Sequence, residues 1–278
     1  MTENNMPYLF ERAKSKGVVN PLNKYAANNF SQDGEDGIIE RIFEIISAKN
    51  KYFVEFGAWD GKYLSNCYYL ASFKTWSGCF IEANPQKYNE LINTHGNNEK
   101  INCVNKFVGF EGENSLENIL KSVEAPMDLD LLSIDVDGTD YFIWESLEEC
   151  RPRVVVIEFN PTIPNDIVFV QEKNIQINQG CSLAALIKLG KTKGYELVCC
   201  TGWNAFFVKE KYFNLFELDS NQINDVYVPI SDGRIFHGYD SSIFVYGMSK
   251  LLWSDIVLTN EDFQVLPKSL RKFSDKQS

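Results

Sequence analysis

Residues 53–61 read Phe-Val-Glu-Phe-Gly-Ala-Trp-Asp-Gly, and a second acid, Glu82, closes the next apolar run, Gly78–Ile81. An apolar strand running into an acid, a glycine-bearing turn and a helix is how a nucleoside-bearing ligand is held. The glycines let the backbone approach it, and the later carboxylate accepts hydrogen bonds from ribose hydroxyls.

Outward from this stretch, short apolar runs alternate with helical patterns. Strands are expected over Tyr52–Phe56, Gly78–Ile81, Ile101–Val104, Leu129–Ile134 and Val154–Ile157. The last of these has no polar alternation, as befits a strand buried on both faces. Helices are expected from about Asn66, from Pro85 to Gly96, from a Ser115 cap to about Val123, and from about Asp140. Before them, Ser31-Gln-Asp-Gly-Glu-Asp-Gly opens an amphipathic helix with Ile38, Ile39, Ile42, Phe43 and Ile46 on one face. After them, Ser182 begins a helix, and Tyr195–Thr201 with Asn204–Lys209 form a closing antiparallel pair around Gly202-Trp203. This specifies an α/β fold: a Rossmann-like, doubly wound, mostly parallel sheet with an antiparallel closing strand. The expected organisation is an N-terminal arm or lid over 1–30, one domain with a C-terminal extension over 31–265, and a tail over 266–278.

Composition narrows the partners. Twenty-seven basic residues against 38 acidic ones give a net charge of -11, and no basic tract offsets it, so nucleic acid is disfavoured. Seven scattered cysteines without a CxxC pair read as reduced thiols rather than a zinc site. No run approaches about 18 apolar residues, so no membrane span is expected. The polar N-terminus is no secretion signal, and the cytoplasm is the expected location. A small polar molecule is the expected substrate.

The turn departs from the dinucleotide fingerprint G-x-G-x-x-G. Trp59 replaces the second glycine, which would let a pyrophosphate reach the backbone. Glu55, two residues before Gly57, suits a ligand with a cationic amine, such as the methionyl end of S-adenosylmethionine. Taken in order, Val54–Gly61, Ser65-Asn66, Gly78–Glu82, Asp130–Gly138 and Val156–Pro161, with the opening Ser31-Gln32 … Glu35-Asp36, resemble the FkbM-type branch of class I methyltransferases. The resemblance covers about residues 30–165, with weaker support to about 210. It implies a seven-stranded Rossmann-like sheet, S-adenosylmethionine as methyl donor, and O-methylation of sugars or other polar metabolites, such as nucleotide-linked precursors of a surface glycan. Trp59 departs from the Asn common in that branch. A nicotinamide-dependent oxidoreductase, or a binding domain that has kept the fold without catalysis, are the alternatives.

The expected donor contacts are Glu55 at the ammonium, Gly57 and Asp60 in the turn, Glu82 at the ribose, and Asn105 at the adenine. Gln32, Ser65, Asn66 and Asp135 complete the set. At the ends of the fourth and fifth strands, Asp135, Asp137, Glu158 and Asn160 converge beside the donor, with Asp135 and Asp137 on one side if the strand continues. Such hard oxygens suit Mg²⁺ or Mn²⁺, which would acidify an acceptor hydroxyl; as catalytic candidates without a metal, the acids would bind the acceptor's hydroxyls directly, and the alternative is that they brace the loops. His237, one of two histidines, is a candidate general base. His95 reads as a helix-end residue, and of the tryptophans only Trp59 is expected to meet a ligand; 76, 144, 203 and 253 pack.

Overall fold

The structure is a computed structural model and describes residues 20–227, 234–246, 257 and 259–272. The chain divides into two compact units, Met1–Val228 and Pro229–Ser278. The first contains helices α1 (Glu35–Ile46), α2 (Tyr68–Phe73), α3 (Pro85–His95), α4 (Leu116–Ser122), α5 (Asp140–Ser146) and α6 (Leu183–Thr192). Two four-residue helices follow, α7 (Glu210–Phe213) and α8 (Ile223–Val226). Its strands are β1 (Tyr52–Phe56), β2 (Ser77–Ile81), β3 (Ile101–Val104), β4 (Leu131–Ile134), β5 (Val154–Glu158), β6 (Tyr195–Cys200) and β7 (Asn204–Lys209).

These strands form one seven-stranded sheet in the order β3-β2-β1-β4-β5-β7-β6. The β1–β2, β1–β4, β2–β3 and β4–β5 pairs are parallel; β7 runs antiparallel to both β5 and β6. Side chains alternate between the two faces. Val54, Phe56, Cys79, Ile81, Leu132, Ile134, Val155 and Ile157 enter the core beneath α4, α5 and α6. Phe53, Phe80, Leu131, Val154 and Val156 enter the core with Ile38, Ile39 and Ile42 of α1, Leu70 of α2 and Leu91 of α3. Two covered faces explain why β5 is apolar at four consecutive positions.

Ser115 and Ser182 cap α4 and α6 as expected, their hydroxyls accepting from Asn118 N–H and Ala185 N–H. The helix expected to open in the Ser31–Gly37 segment starts at Glu35, and Ser31 Oγ accepts from Asp36 N–H. α1 begins at Glu35 behind Gly34, whose φ of 102° puts it in the left-handed region. A Cβ at Gly34 would meet Ala26 Cβ at 2.6 Å, and one at Gly37 would meet Tyr25 O at 1.9 Å. The two glycines therefore let the 25–27 backbone lie against the start of the helix. Residues 20–30 accordingly pack against this unit rather than forming an arm: Leu22 and Ala26 are buried, and Asn20 donates to Val198 O. Residues 1–19 and Trp253 lie outside the described residues.

In the second unit, β8 (Arg234–His237) and β9 (Ile243–Tyr246) form an antiparallel hairpin. The hairpin bonds to residues near 260. Gln264 exchanges hydrogen bonds with the Ile243 backbone, and Asn260 accepts from Val245 N–H. The segment expected to be tail includes a short 3₁₀ turn, Lys268–Leu270, and an Arg271–Glu261 ion pair at 2.8 Å.

At the amino ends of β4 and β5 lies a buried ion pair, Asp130–Arg153, at 2.7 Å. Asp130 also accepts from the backbone N–H groups of Lys49, Asn50 and Lys51, while Arg153 donates to Ile46 O, Ser47 O and the Tyr212 hydroxyl. This clamp ties the α1–β1 connection to the sheet. Breaking it strands a buried carboxylate, so Arg153→Ala should cost about 3–5 kcal/mol in urea unfolding. A loss under about 1 kcal/mol would show that the clamp is dispensable.

Candidate functional site

The strand register lines up the residues that follow each parallel strand. Phe56 is level with Ile81 and Ile134, Ile81 with Val104, and Ile134 with Ile157. One step further along stand Asn105, Glu82, Gly57, Asp135 and Glu158, in sheet order and about 4.8 Å apart from strand to strand. Asn204 continues the row, being paired with Glu158 across the antiparallel edge. Chain order reverses between β1 and β4, so helices leave to opposite faces there and open a crevice at the strand ends.

Gly57 and Asp135 meet at that reversal. A Cβ on Gly57 would lie 1.9 Å from Asp135 O, and its φ is 71°, so only glycine fits. Trp59 and Gly61 also have positive φ, 52° and 72°. Trp59 thus adopts a glycine-like conformation that costs an L-residue on the order of 1–2 kcal/mol. Its N–H donates to Glu82 Oε2 at 2.8 Å, its indole lies 4.4 Å from Lys87 Nζ, and the residue is 47% exposed. Asp60 accepts from Lys62 N–H and Tyr63 N–H and closes the turn. Buried His95, stacked on Phe80, bonds Gly61 O through Nε2 at 2.9 Å. The helix-end histidine is therefore a brace for the glycine turn.

Glu55 lies on the α1–α2 face of β1, beside Ser133 of β4. It accepts from Ser65 Oγ, Asn66 N–H and Cys67 N–H, and Asn66 Nδ2 donates to Ser133 Oγ. Burial pushes the Glu55 carboxyl up to about 7, against the lowering effect of those hydrogen bonds. Glu82 accepts from Asn84 N–H as well as Trp59 N–H, and Asn105 Nδ2 donates to Glu82 O. Gln32 is exposed, with its carbonyl accepting from Asn28. The neighbouring acids organise the loop: Asp36 accepts from the N–H groups of residues 29–31, while Glu35 accepts from Thr201 and Asn204.

Asp135, Asp137 and Glu158 each place a carboxylate oxygen within 4.8 Å of the others. They converge for a different reason than strand alternation. β4 ends at Ile134, and Asp137 turns back through a left-handed φ of 56°. Asp140 makes that turn: its carboxylate accepts from Val136 N–H and Gly138 N–H. Burial, then the charges of Asp140, Asp137, Glu55 and Glu35, hold the Asp135 carboxyl well above the usual carboxylate range. Burial also raises Asp137. Asn160, expected beside these acids as a ligand, is instead spent on the following loop. Its Oδ1 accepts from Thr162 N–H and Oγ1, and its Nδ2 donates to Gln179 O.

Two residues that shape this end of the sheet were missed in the sequence. Asp140 was legible as a helix start but not as the clamp on the 136–138 turn. Buried Gln171 holds the 171–180 loop, donating to Asn174 O and Ile177 O and accepting from Gln179 N–H and Gly180 N–H. No local pattern marks such a role. His237 is exposed on β8 of the second unit.

No family model matches the chain, and no curated protein matches it. Solved structures do. The pyocyanin biosynthetic protein PhzM matches at 12% identity with a TM-score of 0.35, covering 62% of this chain and 54% of that one. The CurJ carbon methyltransferase matches at 9% and 0.44, covering 62% and 52%. A SAM-dependent methyltransferase from Aquifex aeolicus matches at 12% and 0.35, covering 61% and 87%. The chain thus spans about half the length of the first two.

The acids generate a pH signature. Glu55 has a folded value of about 7 against an ordinary 4.5, so the folded state binds its proton more tightly. Its stabilising contribution is complete below about 4.5 and disappears as pH rises through about 7. Between those limits, wild-type stability should fall relative to Glu55→Gln by about 3 kcal/mol in urea unfolding. Parallel stability curves for the two proteins would refute the buried-acid account.

Proposed function

We propose that this chain is an S-adenosylmethionine-dependent methyltransferase that methylates an oxygen of a small polar acceptor. The observation that carries this reading is the in-register row at the sheet reversal. An acid-preceded glycine turn packs on the end of β4, with an acid at the end of β2 beside it. The seven strands and the closing antiparallel strand also agree with what the FkbM-type resemblance implies. That resemblance favours a sugar or nucleotide-linked precursor of a surface glycan as acceptor. The cytoplasm fits the cysteines, all seven free and six of them buried.

In this reading Glu82 accepts the ribose hydroxyls, and the Gly57–Gly61 turn lies along the ligand. Glu55 holds the end of the turn through Ser65 and Asn66 and faces the ammonium with its negative charge. Asn105 positions Glu82, and Gln32 closes the rim. S-adenosylmethionine supplies a methyl group on a positively charged sulfur, so transfer to oxygen discharges the sulfonium and needs few catalytic groups. The protein orients the acceptor oxygen in line with the methyl–sulfur bond and takes its proton. Asp135, Asp137 and Glu158 are the groups for the acceptor, and the raised proton affinity of Asp135 makes it a better base than an ordinary carboxylate. His237 is retained as a second candidate for the proton.

The same three carboxylates fit Mg²⁺ or Mn²⁺ as a donor set, being hard oxygens grouped within 4.8 Å. Among the described residues no ion pair neutralises Asp135 or Asp137. A cation there would lower the acceptor hydroxyl's pKa. Asn160 leaves the set, since its side chain is committed to the loop.

S-adenosylhomocysteine and S-adenosylmethionine should each raise the melting temperature at concentrations well above their dissociation constants, and NAD should not. Stabilisation by NAD alone, or by none of the three, would replace the donor reading. Mn²⁺ should add a further shift that Asp137→Asn removes, Asp137 being exposed and outside the core. Once an acceptor is found, turnover that survives chelation would take the metal out of the mechanism. Turnover unchanged in His237→Ala would do the same for that histidine.

A further inference from the structure

We propose that the Trp59 indole is a stacking surface for the purine of the nucleoside that Glu82 holds. The inference rests on the donor reading above and goes beyond it, because it assigns a ligand contact to a residue the fold has no use for. Three observations carry it.

First, Trp59 occupies a left-handed backbone position, φ 52°, between two glycines that share the conformation, Gly57 at 71° and Gly61 at 72°. Asn or Gly would adopt it more readily than a bulky aromatic residue. Second, the side chain adds little to the core: the residue is 47% exposed and belongs to neither apolar cluster. Strain without a packing return points to a role in binding. Third, the ring is already placed. The Trp59 backbone N–H donates to Glu82 Oε2, which sets the residue beside that acid, and Lys87 Nζ sits 4.4 Å from the ring centroid. Lys87 is itself held by Glu90 at 2.8 Å. A half-exposed indole with a cation over its ring is a preorganised platform for a flat π-system. A base linked to the ribose at Glu82 is the nearest such group the site would admit.

Calorimetric titration of S-adenosylhomocysteine and of adenosine into wild type, Trp59→Asn and Trp59→Tyr tests this. Trp59→Asn should weaken both ligands about tenfold, and Trp59→Tyr should recover most of the loss. The melting temperature of unliganded Trp59→Asn should be unchanged or higher, since Asn tolerates the backbone better. Wild-type tryptophan fluorescence should change more on adding S-adenosylhomocysteine than that of Trp59→Asn, Trp76 and Trp144 being buried. Affinity for both ligands within threefold of wild type would overturn the proposal. So would a lowered melting temperature in unliganded Trp59→Asn, which would make the ring structural. If wild type binds neither ligand, the donor reading itself fails, an outcome distinct from a failure confined to the variant.

Discussion

Gly57 and the Asp135 carbonyl compete for one space, and most of the site follows from how that contact is resolved. With a Cβ separation of 1.9 Å available, only a residue without a side chain can follow β1. The contact exists because β1 and β4 are parallel neighbours in register, Phe56 beside Ile134. Their adjacency is also where the sheet changes direction, so the helices that follow depart to opposite faces. The strand ends are left uncovered, with the glycine turn on one side of the crevice and the acids of β4 and β5 on the other.

The acids around this crevice serve two distinct purposes. Glu35, Asp36, Glu82 and Asp140 accept backbone N–H groups and fix loops that no apolar packing would hold. Such bonds offset the cost of burying a charge. Asp135, Asp137 and Glu158 bring carboxylate oxygens within 4.8 Å of one another, and burial, then the charges of Asp140 and Asp137, raise the proton affinity of Asp135. A site assembled from like charges is suited to a cationic ligand, and a sulfonium, an ammonium and a divalent metal all meet that description.

Much of the fold was legible because it depends on local chemistry. The seven strands of the sheet were anticipated to within two residues at each end, since apolar runs of strand length between glycine and capping signals have few other readings. Ser115 and Ser182 were read correctly as caps for the same reason. The start of α1 at Glu35 depends on Gly34, which answers to the packing of Ala26, and only the folded chain reveals that contact. Asp137 joins Asp135 through a left-handed turn held by Asp140, and alternation along a strand had suggested a different route to the same neighbourhood. Asn160 shared the right end of the sheet with these acids, yet its amide is bonded to Thr162 and to Gln179 across the 160–180 loop.

By itself the sequence determined the alternation of strands and helices, the parallel sheet and the acid–glycine–acid grammar of its carboxyl edge. Each of these is set by the periodicity and turn chemistry of residues close in the chain. Only the tertiary structure decided strand order and register, and with them which acids stand side by side. It also decided which acids are committed to backbone groups and which remain grouped at the crevice. Those outcomes rest on contacts between residues far apart in sequence, such as Asn66 with Ser133 and Glu35 with Thr201, whose partners no local pattern specifies.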